Sequence, residues 1–130
     1  MTGTAVARVS TLREVVVVSL HALVGWACCG FLVGAGRRLW SLDTALIVHA
    51  VGAPIGFGLV SLHYFKRFAY TGPLTTATLF LAIVVALDAS LVAPFFERSF
   101  AMFASPLGTW IPFALIFTAT YFTGRGLSRV

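Results

Sequence analysis

Charge is scarce in this chain. Of its 130 residues only 10% are Asp, Glu, Lys or Arg, and the acids are four: Glu14, Asp43, Asp88 and Glu97. A water-soluble domain carries roughly 25% charged residues, so a polar coat able to face water is excluded. Cysteine is scarce too. Cys28 and Cys29 are adjacent in one apolar run, which excludes a disulfide framework. There is no P-loop, no dinucleotide fingerprint, no HExxH zinc motif and no CxxC dithiol. No segment between apolar runs is long enough to hold a nucleotide. These absences disfavour an enzyme and leave open only His and Asp chemistry on a lipid substrate.

What the chain does have is apolar length. Hydrophobic residues make up 59% and the mean hydropathy is +0.98. The expected class is all-α: a polytopic membrane protein, an antiparallel bundle of four transmembrane helices in a single domain. The expected spans are approximately 14–35, 44–65, 73–96 and 106–123, each close to the roughly 20 residues that a bilayer core requires. The first run is about 20 residues long, whereas the apolar core of a signal peptide is about 7–15, so an uncleaved span is expected.

Punctuation supports these limits. Asp43 is a plausible N-cap for the second helix. Pro54 lies in mid-span, where it would kink a helix and free a carbonyl for neighbouring helices to satisfy. Pro73 after Thr71-Gly72 suits the first helical position. Pro106 and Pro112 interrupt the fourth run, so 99–105 is expected as an interfacial turn or short helix. Trp110 and Tyr121 then lie near opposite ends of the last span.

The nine Lys and Arg residues all lie at the chain ends and in the connections. A nucleic-acid binder would gather them on one face, so no nucleic-acid partner is expected. Arg8, Arg13, Lys66, Arg67, Arg125 and Arg129 fall on one side of the expected topology, and Arg37, Arg38 and Arg98 on the other. The positive-inside rule then places both termini in the cytoplasm, with the chain in a cell or inner membrane.

Ionisable groups inside a span are costly and normally face the bundle interior. His21, His49 and Asp88 lie well inside, and His63 lies near an edge. Helical spacing puts Glu14, His21 and Cys28 on one face of the first helix, with Gly25 between. It puts His49, Gly52, Ala53, Gly56, Val60 and His63 on one stripe of the second. The third offers Ala77, Leu81, Val84, Asp88, Leu91 and Val92, and the fourth Thr109, Phe113, Ile116, Thr120 and Thr123. Counting ~1.5 Å per residue from each span's centre, His49 sits roughly 8 Å, and Asp88 and Cys28 roughly 5 Å, toward the outer side. His21 sits roughly 5 Å the other way, with His63 beyond it. Two groupings follow. His49, Asp88 and Cys28 form a candidate proton, cation or metal site and a candidate protonation switch. His21, His63 and Glu14 form a secondary polar site. The competing reading makes His49 and Asp88 a buried structural pair that holds two helices in register.

Cys28-Cys29 packs as small apolar residues. Adjacent helical residues point about 100° apart, which hinders chelation of one ion. A vicinal cysteine pair in a first span resembles the mercury-transport membrane proteins of bacteria in those two residues alone, and no cytoplasmic cysteine pair accompanies it. Gly30 to Gly34 and Gly52 to Gly56 are GxxxG spacings that permit close helix contact. The second pair is expected inside the bundle and the first on a dimer face.

Three roles compete on this pattern. The first is a small, oligomeric transporter or channel that handles protons or a cation at His49 and Asp88. The second is an accessory subunit of a larger membrane complex, with Phe95, Phe96 and 100–103 against lipid, pigment or a neighbouring subunit. The third is a redox protein with a quinone pocket or a haem between His21 and His63. The expected partners are the lipid bilayer and either further copies of the chain or other membrane subunits. Substrate and cofactor are not legible.

Overall fold

A computed structural model of the chain describes the backbone of residues 2–128 and the side chains of residues 11–127. The side chain of Arg8, and Arg129, both used in the charge count, lie outside the described residues. Helix accounts for 91% of the structure, and no strand occurs among the described residues. The four helices are α1 (Thr2–Leu39), α2 (Leu42–Arg67), α3 (Pro73–Leu87) and α4 (Ile111–Ser128). Three helical stretches among the described residues are long and apolar enough to cross a membrane: Thr11–Leu39, Leu42–Arg67 and Pro73–Glu97.

The helix ends follow local chemistry. Helix α2 starts at Leu42, and its cap is Ser41 rather than Asp43. The Ser41 hydroxyl accepts from the Thr44 amide at 3.2 Å. A serine side chain at the cap reaches the third amide of the helix, which leaves Asp43 in the first turn, where its charge suits the helix dipole. Helix α2 runs without a break through Pro54. Helix α3 starts with Pro73 in its first turn, as expected.

Beyond Leu87 the third helix widens into ten residues of π-helix, Asp88–Glu97. Pro94 lies inside it and has no N–H to donate, so the ordinary ladder loses a bond there. Wider turns re-space the remaining donors. The Ser90 hydroxyl adds a donor to the Ala86 carbonyl at 2.6 Å, near the change of register. Arg98, at φ 54°, ends the segment in left-handed backbone. A short 3-10 turn (Ala101–Ala104) and a π turn (Pro106–Trp110) lead into α4. The expected turn before Pro106 is therefore present.

Neighbour relations come from specific contacts. Going up α1, Gly25 meets Phe57, Leu32 meets Gly52 and Gly36 meets Ala45, so α1 and α2 are antiparallel. Ser61 donates to Thr120 at 3.1 Å, and Phe65 lies against Gly124. Leu46 lies near Gly108, so α2 and α4 run parallel. The packed neighbours are α1 with α2, α2 with α4, α4 with α3 and α3 with α1. The core between them holds Val18, Ala22, Phe57, Tyr64, Phe80, Val84, Phe113 and Ile116. Outside it the bundle is apolar as well: Leu20 (55%), Phe31 (73%), Val51 (60%), Ile55 (59%) and Leu59 (63%) are exposed. A soluble monomer rarely presents such a continuous apolar exterior.

Two ties close the ends. At one, the Tyr64 hydroxyl and Thr71 Oγ1 are 2.8 Å apart, and Thr76 Oγ1 donates to the Gly72 carbonyl at 2.8 Å. At the other, Arg37 pairs with Glu97 at 2.6 Å.

Candidate functional site

Apart from hydroxyl pairs such as Ser61 with Thr120, the histidines and Asp88 of the apolar helices fall into three groups at different heights. The first lies where α1 meets the last turns of α2. His21 Nδ1 is 2.7 Å from the Val17 carbonyl, and His21 Nε2 is 2.9 Å from His63 Nδ1. The ring centroids are 5.1 Å apart with 26° between planes. That separation is what two rings joined nose to nose by the short N···N contact produce. Tyr64 and Phe68 each present an edge-on ring 5.3 Å from His21. His21 and His63 thus come together, closer than the roughly 8 Å difference in depth counted from the span centres. Glu14, two turns before His21, makes no hydrogen bond with either among the described residues.

The second group joins α1 to the start of the π segment. The Trp26 indole N–H donates to Asp88 Oδ1 at 2.9 Å. A Trp N–H half-buried in a helix interface favours an acceptor, and a half-buried carboxylate among apolar side chains favours a donor, so each meets the other's need. Asp88 does not pair with His49: no hydrogen bond or ion pair joins them among the described residues. The helix register explains why. Asp88 is level with Trp26, and the neighbouring Gly25 meets Phe57 on α2, so His49 lies about 10 Å further along the bundle. Depth counted from the centre of each apolar run placed the two together because it missed the extra length of α1.

His49 forms the third group. It is buried, with 8% of its surface exposed, and its Nδ1 has no hydrogen-bond partner. Such an atom calls for an explanation in a folded interior. His49 lies one turn from Leu46, which packs near Gly108, and one turn from Gly52, on which Leu32 packs. It therefore sits where α1, α2 and the start of α4 meet.

Cys28 does not join this interior. It is exposed, and Cys29 is the buried member of the pair. Cys28 lines a shallow apolar groove of about 390 Å³ between α1 and α2, with Ala27, Phe31, Leu32, Gly52 and Gly56. The inner face of α2 is Ala45, His49, Ala53, Phe57, Ser61 and Tyr64, about one residue round from the expected glycine stripe. Gly52 does pack inside, against Leu32. Gly56, Gly30 and Gly34 face open space.

No three residues among His, Cys, Asp and Glu gather in a metal-binding group among the described residues. The haem reading fits the histidines poorly. An iron with two axial imidazoles needs its porphyrin between them, and nitrogens 2.9 Å apart leave no space for one. Trp26 is the residue that sequence reasoning missed. Its signal was a lone indole donor in an apolar run, which must find an acceptor.

Comparison of the chain with protein-family models, with curated proteins and with solved structures found no match.

Proposed function

We propose that this protein is a small polytopic membrane protein that conducts or transports protons, or a small cation, along its polar interior. In this reading the chain crosses a cell membrane four times, with α4 and its leading turn as the fourth span and both termini in the cytoplasm. Arg13, Lys66, Arg67 and Arg125 then mark the cytoplasmic end, with Arg37, Arg38 and Arg98 opposite. The observation that carries the reading is the succession of polar groups through an otherwise apolar bundle: His21 with His63, Trp26 with Asp88, then His49 with a bare, buried Nδ1. Groups of this kind inside a membrane are costly to insert and mark ion or proton pathways. Four helices form a narrow bundle, so assembly of several copies is part of the proposal, and the open surface at Gly30 and Gly34 suits close helix contact.

The test is proton-driven flux in liposomes carrying the purified protein. Wild type is expected to dissipate an imposed pH gradient, and Asp88→Asn to lose most of that rate while remaining folded. Equal rates for the two proteins and for empty liposomes would defeat the proposal.

A second reading rests on Phe95, Phe96 and Phe100, which are 71%, 73% and 60% exposed in one stretch of the third helix and its exit. An accessory subunit would bury such a cluster against a partner. Copurification of a partner from the native membrane, together with absence of flux, would favour it.

A further inference from the structure

The histidine dyad defines its own proton inventory. Carbonyl oxygens only accept, so the 2.7 Å contact with Val17 puts a hydrogen on His21 Nδ1. A neutral imidazole carries one hydrogen, which leaves His21 Nε2 bare. His63 Nδ1, 2.9 Å away, must then donate to it. Of the two ring nitrogens without a hydrogen, His21 Nε2 accepts this bond, and His63 Nε2 is left with its lone pair unengaged. His63 is exposed, and this nitrogen makes no hydrogen bond among the described residues. A proton that binds there turns His63 into a cation whose Nδ1–H bond to His21 becomes charge-assisted. Passing the Nδ1 proton across that bond moves the charge to His21, which then donates from both nitrogens, one to Val17 and one to His63. A second proton would set two cations nose to nose across the same contact and leave the linking bond with no acceptor. Like charges this close strongly disfavour each other.

We propose that His21 and His63 form a one-proton port at the seam of α1 and α2, loaded at His63 Nε2 and delivering charge to His21. This rests on the ion-handling reading above and names the proton, rather than a metal cation, as the ion. A metal would need both facing nitrogens bare, and no third His, Cys, Asp or Glu joins them among the described residues. The site is at the level of a membrane interface, since Lys66 and Arg67 follow one turn after His63. The other titratable or charged groups on the packed elements are few. Tyr64 of α2 places its ring edge against His21, and its hydroxyl is engaged by Thr71. Arg13 and Glu14 lie about two turns before His21 on α1. Tyr121 and Arg125 of α4 are bonded to each other at 3.0 Å. The first turns of α3 contribute none.

The experiment is nitrogen NMR of the full chain in lipid nanodiscs, with labelled imidazoles, between about pH 8 and about pH 5. A scalar coupling between His21 Nε2 and His63 Nδ1 is expected across the range. The wild-type pair is expected to take up one proton. His21→Gln and His63→Gln are each expected to take up one proton at the remaining ring, so the pair binds half of what its separated members bind together. Two protons on the wild-type pair, or no coupling at any pH, would overturn the proposal, and the wild-type spectra decide this even if a variant fails to fold. The port and the transport reading fail separately. A one-proton dyad in a protein that shows no flux would keep the port and remove the transport, and flux with two independently titrating histidines would do the reverse.

Discussion

At the scale of single residues, the Trp26 indole and the Asp88 carboxylate satisfy each other across two helices. Their hydrogen bond joins α1 to α3 and supplies the carboxylate with a donor where water is scarce. Trp26→Phe keeps most of the ring volume and removes the donor. The cost of a buried polar group left without its partner is about 1–3 kcal/mol, so thermal unfolding in detergent, followed by helical circular dichroism, is expected to show a lower midpoint for Trp26→Phe. A Trp26→Phe, Asp88→Leu double variant is expected to recover part of that loss, because both polar partners are gone. A midpoint unchanged in Trp26→Phe would mean that the contact stabilises nothing. Sequence spacing did not reveal this partner. Trp26 lies off the small and polar seam traced through His21 and Cys28, and its reach to Asp88 depends on a long side chain. The nearness of His21 to His63 was legible only in part: both lie toward the same end of adjacent antiparallel helices, but counting from the span centres set them roughly 8 Å apart in depth.

At the scale of the helix, packing is decided by where a side chain meets a glycine. A Cβ built on Gly25 would approach the Phe57 ring to 2.6 Å, whereas Gly30 and Gly34, on the same helix, have nothing within 4 Å. Phe57 is fully buried and has little freedom to retreat. Overpacking of this kind costs about 1–3 kcal/mol. Gly25→Ala is therefore expected to lower the unfolding midpoint, while Gly30→Ala and Gly34→Ala leave the monomer's midpoint unchanged or slightly raised. Equal effects at Gly25 and Gly30 would contradict this packing of α1 on α2. The limits of α2 and the start of α3 were legible from the apolar runs, Pro73 and the basic Lys66-Arg67 end, whereas α1 extends well beyond its apolar run at its N-terminal end. The inner face of α2 was less so. Phe57 and Tyr64, rather than Gly56 and Val60, turn toward the core, a shift of about one residue that a choice of small residues over large ones hides. The π segment left only Pro94 as a clue.

At the scale of the whole molecule, the surface is apolar and the polar groups lie within or at the seams, the reverse of a soluble domain. Under the proposed four crossings, the two ends of the chain would lie on one side of the bilayer. Tags at the two termini are expected to show the same accessibility in sealed vesicles, and a tag inserted in the short connection near Ser41 the opposite. Termini labelled from opposite sides would remove one crossing and with it the proposed path. The all-helical architecture and the helix count were readable from hydropathy, because apolar runs of about 20 residues mark helices long enough to cross a bilayer. The relative heights of polar groups on different helices were not, because they depend on how far each helix extends past its apolar run.

The widened turns that begin at Asp88 also bear on how the chain would measure a membrane under the proposed topology. More residues per turn mean less rise per residue, so the stretch from Pro73 to Glu97 covers less distance than an ordinary helix of the same count. Its hydrophobic height is therefore smaller than its 25 residues suggest, and under the proposed topology a thin bilayer, or an upright setting in a thicker one, would suit it better than the tilt its neighbours could adopt.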